Sequence, residues 1–264
     1  MNIIVCIKQV PDTTDIKIDP ETNTLIRQGV ASIINPFDMY AIEEALRIKE
    51  RMGEGKITVL TMGPPQAESA LREALSLGCD EAILISDRAF AGSDTWATSY
   101  TLACAIRKIG KFDLIFCGKQ AMDGDTAQVG PGISVQLNIP QVTYVKKIEE
   151  ISKDALRLER MTEEGYEIIE SPIPCLLSVV KEINQPRLPS LKGKMRAKKA
   201  EITTWTSEDI GADPERLGLP GSPTQVIKIF TPPLREGGQI LEGEPEEVVE
   251  KLANILKGIV TGCQ

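Results

Sequence analysis

Leu114-Ile115-Phe116-Cys117-Gly118-Lys119-Gln120-Ala121-Met122-Asp123-Gly124-Asp125-Thr126-Ala127-Gln128-Val129-Gly130 is the stretch that decides the architecture. Leu114 to Cys117 shows no polar alternation, so it reads as a strand buried on both faces, as in a parallel sheet. A polar loop bracketed by Gly118 and Gly124 follows. A helix then begins near Asp125-Thr126 and carries Val129, Ile133, Val135 and Leu137. Strand, glycine loop and helix in that order make half of a βαβ unit.

The same rhythm extends upstream. Ile3 to Ile7, Ile57 to Thr61 and Ala82 to Ile85 are further short runs rich in Ile, Val and Leu. Between them lie helix starts at Asn35-Pro36, Gly63-Pro64 and Ser93-Asp94, the first with proline at the first helical position. Repeated strand-helix units predict an α/β fold with a doubly wound, mostly parallel sheet, Rossmann-like and suited to adenine nucleotides. Downstream, Gln141 to Ile148, Ala155 to Arg160 and Tyr166 to Ile169 alternate like antiparallel strands, with Glu163-Glu164-Gly165 as a turn. From Pro186 to Pro233 the chain holds seven prolines and few apolar runs. That composition suggests an arm laid over a partner, followed by a helix from about Pro245 to Ile259. The expected division is an α/β domain with its hairpin extension over 1–185, and a recognition loop, extended arm and C-terminal helix over 186–264.

Composition narrows the function. The 264 residues carry a formal charge of -8, which disfavours nucleic acid as a partner. No apolar run reaches the ~20 residues of a membrane span, so membrane insertion is not expected. The start MNIIVCIKQVPD has no basic leader. Six cysteines without a CxxC pair suit a reducing cytoplasm. There is no histidine, which removes Ser-His and Cys-His nucleophile pairs and most imidazole-based metal sites. A cofactor that brings its own chemistry remains compatible.

The loops after the strands are where ligands bind in such sheets. Gly118 and Gly124 allow a phosphate to approach the backbone, and the helix that follows offers free amides and a favourable dipole. Gly130-Pro131-Gly132 would lower bulk near the ligand, and Lys119 could contact a phosphate or a partner carboxylate. A plainer reading is a turn in which Asp123 and Asp125 only cap the helix. The usual GxGxxG and Walker loops are missing. Lys8 stands at the sheet's carboxyl edge, the Asn35 amide could read a base, and Thr95 and Thr98 could offer hydroxyls to a phosphate. The run Lys192, Lys194, Arg196, Lys198 and Lys199 is a solvated basic segment or a steering patch for an acidic partner.

Several motifs in order resemble the beta subunit of electron transfer flavoproteins. They are VCIKQVPD (Val5–Asp12), INPFD (Ile34–Asp38), GKQAMDGDTAQVGP (Gly118–Pro131), RMTEEGYEIIESPIPCLLS (Arg160–Ser178) and INQPRLPSLKGKMRAKK (Ile183–Lys199). The resemblance implies a heterodimer with an alpha subunit and a nucleotide site built from Cys6, Lys8, Asn35, Pro36, Phe37, Asp38, Met62, Thr95, Thr98, Lys119, Gln120, Asp123, Gly124, Asp125, Thr126, Ala127, Gln128, Val129 and Gly130. In simple carriers that site holds AMP. In the electron-bifurcating group, which SDRAFAGSDTWAT (Ser86–Thr98) resembles, it holds FAD. That FAD takes hydride from NADH and divides the electrons between the alpha-subunit FAD and ferredoxin. Pro189, Leu191, Lys192, Lys194 and Arg196 resemble the family's recognition loop for an acyl-CoA dehydrogenase or a related flavin dehydrogenase. A free-standing adenine-nucleotide sensor of the stress-protein type is the alternative from another class, but its G-x2-G-x9-G-[ST] phosphate loop is missing.

Overall fold

Each of the four apolar runs becomes a strand at the centre of one sheet in the computed structural model, which describes residues 1–12, 32–228, 238 and 240–261. In chain order the elements are β1 (Asn2–Cys6), β2 (Gln9–Pro11), β3 (Ser32–Ile34), α1 (Pro36–Met52), β4 (Lys56–Met62), α2 (Glu68–Leu77), β5 (Glu81–Ile85), α3 (Thr95–Ile109), β6 (Leu114–Gly118) and α4 (Val129–Leu137). There follow β7 (Gln141–Ile151), β8 (Ala155–Met161), β9 (Tyr166–Pro172), β10 (Cys175–Val179), α5 (Leu191–Lys199), β11 (Thr203–Trp205) and α6 (Pro245–Thr261).

The nine-stranded sheet runs β11-β5-β4-β1-β6-β10-β7-β8-β9, parallel from β11 to β7 and antiparallel from β7 to β9. Central strands are covered on both sides, which is why they read as unbroken apolar runs rather than alternations. One face packs Ile3, Val5, Val59 and Phe116 against α1 and α2, and the other packs Ile4, Leu60, Ile115 and Leu176 against α3 and α4. The chain winds outward from β1 through β4 to β5, then returns across α3 to lay β6 on the other side of β1. That reversal opens a crevice at the carboxyl ends of β1 and β6. The small antiparallel pair β2–β3 fastens the chain leaving β1 to the entry of α1.

Two expectations change. The predicted arm does not begin at 186, because the first compact unit extends through Ile227. Its α5 packs on α2, and β11 joins the sheet beside β5. At three residues β11 is too short to show periodicity in sequence. The helix expected from Asp125 begins instead at Val129, and residues 121–128 stay a loop. The second unit, 228–264, holds α6, whose first turn carries Glu246 and Glu247 where the helix dipole favours acid.

Candidate functional site

The crevice is a cavity of about 330 Å³. Cys6 and Lys8 reach it from the end of β1, Asn35 and Asp38 from the start of α1, and Met62 from β4. Thr95 and Thr98 come from α3, and Lys119, Gln120, Gly124, Thr126, Ala127, Gln128, Val129 and Gly130 from the loop and first turn of α4. Of the expected nucleotide residues, Pro36, Phe37, Asp123 and Asp125 do not line it. Ile7, Ser93, Asp94, Leu102, Cys117 and Ala121 do, and were missed. Two of these were legible in principle: Cys117 ends a buried strand, and Asp94 opens a helix at the same sheet edge.

Asn35 was expected to cap α1 and to read a base. Its side chain does not cap the helix, although the residue does line the cavity. Its Nδ2 donates to the Gln120 carbonyl at 2.8 Å and its Oδ1 accepts from Met122 N at 2.9 Å. Both ends of the amide thereby hold the 118–126 loop against α1. Asp38 acts similarly, accepting from Lys8 N at 2.7 Å and Gly118 N at 3.1 Å. Burial pushes its carboxyl from 3.8 up to about 7, although the Lys8, Asn35 and Gly118 hydrogen bonds pull it down. Gly118 is required here by close approach, since a Cβ would collide with the Asp38 carboxylate and lie 2.6 Å from the Phe37 carbonyl carbon. Gly118 also lines the cavity, so loop packing is a second requirement for the glycine beside the expected one.

Two helices start at the cavity. At α3, Asp94 Oδ1 accepts from Trp96 N and Ala97 N at 2.9 and 3.0 Å. Its other oxygen accepts from Thr224 N and Oγ1 at 2.9 and 2.8 Å. At α4, among the described residues no side chain caps the helix. The amides of Val129 and Gly130 have no intrahelical partner, and Pro131 has no N–H to satisfy. The loop enters this turn through Asp125 and Ala127 at φ 52° and 54°, a left-handed conformation costing about 1–3 kcal/mol for a non-glycine residue and concentrated at functional sites. Asp125 accepts from Gln120 Nε2, Asp123 pairs with Lys8 Nζ at 2.5 Å, and Thr95 Oγ1 donates to Gln128 Oε1 at 3.2 Å. Gly132, expected to spare room for a ligand, faces away. A Cβ there would strike Ser99 of α3, so this glycine serves helix packing.

At the cavity floor the register of β1 and β6 sets Cys6 beside Cys117. The neighbouring Cys6 thiol, together with burial, pushes the Cys117 thiol well above its usual range. Among the described residues no cluster of acidic, cysteine and histidine side chains is suited to hold a metal ion.

Residues 22–210 match the electron transfer flavoprotein domain. Relatives align over nine tenths or more of both chains. The electron transfer flavoprotein subunit beta of Thermoanaerobacterium thermosaccharolyticum is 56% identical over 97% of this chain and 98% of its own. Subunit CarD of the caffeyl-CoA reductase-Etf complex of Acetobacterium woodii is 53% identical over 97% and 98%. Protein FixA of Bradyrhizobium diazoefficiens is 48% identical over 97% and 91%. This chain belongs to the electron transfer flavoprotein beta-subunit family.

The segment resembling the recognition loop of these flavoproteins lies apart from the cavity. It is a helix, α5, rather than a loop, with Ser190 capping it by accepting from Gly193 N at 3.0 Å. Leu188 and Leu191 are 91% and 77% exposed. Pro189 precedes the helix, and Lys192 and Lys194 occupy its first turns. Arg196 was grouped with the partner-binding residues, yet its guanidinium donates to the Leu75 and Cys79 carbonyls at 2.8 and 3.1 Å. It finishes the C-terminus of α2. Arg187, which went unnoticed in sequence, fastens the segment to α1 through Glu43 at 2.8 Å and Glu50 at 2.5 Å. Burial alone would raise Glu43, but Arg187 and Arg47 hold it below the usual carboxylate range. Among the described residues, no helix is long and apolar enough to cross a membrane.

Proposed function

We propose that this chain is the nucleotide-holding beta subunit of a cytoplasmic two-chain electron carrier. In this reading it binds FAD in the cavity, and NADH is the donor. Electrons are divided between the flavin of an alpha subunit, serving an acyl-CoA or related flavin dehydrogenase, and ferredoxin. The observation that carries the nucleotide reading is the uncapped first turn of α4, entered through two strained residues and opening onto the sheet's switch point. The amides of Val129 and Gly130 suit a phosphate. Thr126, Gln128 and Thr95 add polar groups around it. Ile7, Met62, Leu102 and Ala121 offer apolar surface for a flat ring.

When bound, FAD supplies the exchange between two-electron and one-electron chemistry. The chain's part is to hold and orient. Asn35 and Asp38 fix the loop, and Lys8 with Asp123 steadies its far side. Asp94 keeps α3 in place, and Leu188 and Leu191 stand exposed for a dehydrogenase to cover, beside the cations Lys192 and Lys194.

A second reading has one observation in its favour. A volume of about 330 Å³ lies near the lower end of ligand cavities, roughly 300–1,000 Å³, and suits a mononucleotide. In that case AMP is a structural occupant and the dimer is a simple carrier. Co-purification with the alpha subunit, denaturation and a count of released nucleotide separates the two. Two FAD per dimer without AMP supports bifurcation and predicts NADH-dependent ferredoxin reduction. One FAD with one AMP replaces it with the simple carrier.

A further inference from the structure

The cavity floor holds a pair of thiols for which nucleotide binding gives no role. Cys6 and Cys117 are register partners at the carboxyl ends of adjacent parallel strands, where neighbouring strands lie about 4.8 Å apart. Ile4 and Ile115, one alternation earlier, pack in the same apolar cluster as both cysteines, so the two side chains leave the sheet on one face. Each of the two residues is 7% exposed, and both line the cavity. A Cβ added to Gly130 would lie 3.7 Å from Cys117 Sγ, so on that side only glycine backbone, without a side chain, lies over the sulfur. The other described cysteines have no such partner. Cys79 and Cys175 are fully buried away from the cavity, and Cys104 sits on α3 with Arg107 donating to its sulfur at 3.8 Å.

We propose that Cys6 and Cys117 together form a dithiol site for a trivalent arsenical, reached through the cavity. Two sulfurs fixed side by side on a rigid sheet can both bond one arsenic without moving the backbone. The exchange needs no oxidant. Two S–H bonds and the As=O bond break, two As–S bonds form, and both protons leave with the oxygen as one water. The neighbouring Cys6 and burial push the Cys117 thiol up, which disfavours its attack on reagents that need a free thiolate. Chelation of a neutral arsenical by two thiols is the reaction this geometry favours.

The site does not depend on the nucleotide reading, and one experiment keeps the two apart. The full-length chain, freed of nucleotide, is treated with phenylarsine oxide and then with excess 2-mercaptoethanol, and its intact mass is read under non-reducing conditions. One phenylarsenic group per chain is expected to survive the monothiol and to be released by a dithiol such as dimercaptopropanol. Cys6→Ser and Cys117→Ser should each lose it completely, and Cys6→Ala should match Cys6→Ser. Cys104→Ser should retain it. An adduct that persists in either Cys6→Ser or Cys117→Ser, or that the monothiol strips from the unmodified chain, overturns the proposal. A parallel incubation with AMP is expected to slow adduct formation at least tenfold. Formation at an unchanged rate with AMP present would count against nucleotide in the cavity and leave the dithiol site standing.

Discussion

Helices α3 and α4 begin at the same cavity, yet their first turns are completed in opposite ways. Asp94 spends one carboxylate oxygen on two amides of α3 and the other on Thr224, 130 residues further along. That end is closed to an anion, both because its donors are taken and because a negative charge already stands there. The α4 end has no such acceptor among the described residues. It is entered through Asp125 and Ala127 in left-handed backbone. Helices α1 and α2 also begin without a side-chain cap, so what sets α4 apart is the cavity it faces and its left-handed entry. The contrast teaches that the fold's own acid closes one terminus, while the other keeps its amides open to the cavity, where the proposed function sets a phosphate.

The most severe way to break this contrast is to give α4 its own acid. Gln128→Asp supplies, at the exposed N-cap position, the carboxylate that helix N-termini favour, so the melting temperature should hold or rise. AMP affinity should fall about 10–100-fold as a fixed negative charge replaces the open anion site. Calorimetric titration and a thermal melt on the same protein check both halves; tight AMP binding by this variant would remove the anion role of α4. The reverse change at α3 should hurt stability and spare binding. Asp94→Ala removes a cap and the anchor of Thr224, costing about 1–2 kcal/mol, and protection of the Thr224 amide from hydrogen exchange should fall with it.

Acid titration sharpens the comparison, because the two aspartates at the cavity shift in opposite directions. Asp38 is raised to about 7, so between its ordinary value of 3.8 and 7 the folded chain holds a proton that the unfolded chain has lost. Its contribution to stability therefore declines as pH rises through that window and levels off above it. Asp94 is lowered: burial opposes its ionisation, but hydrogen bonds from Ala97, Thr224 and Trp96 outweigh it. Its contribution is full above the ordinary carboxylate range and is lost as pH falls through the lowered value. Asp38→Asn should flatten the pH dependence of unfolding free energy between about 4 and 7, while losing about 1–3 kcal/mol from an amide facing a backbone N–H. A slope unchanged by that substitution would assign the pH dependence to another group. The smallest effect is expected at Thr95, whose hydroxyl bonds only Gln128 near the rim. Thr95→Val should weaken AMP binding less than about threefold, in keeping with a neutral hydrogen bond open to water.

By itself, the amino-acid sequence determined the parallel sheet, the glycine loop at its edge and the family. Buried strands and helices write their periods within windows of ten or so residues, and five motifs in order are enough to identify relatives. It also pointed to most of the cavity lining, because ligands gather at the carboxyl ends of such strands. Tertiary structure alone decided what several of those residues do. Asn35 reads as a helix cap in sequence and Gly118 as a phosphate glycine, but the fold sets each against the other's segment, 80 or more residues away. Arg187 is one charge among many until Glu43 comes to lie within 2.8 Å of it. Cys6 and Cys117 are unrelated until the register of β1 and β6 places them side by side. The physical reason is the same in each case: a local pattern records which face of an element is buried, while the partner across the contact is fixed only when the whole chain packs.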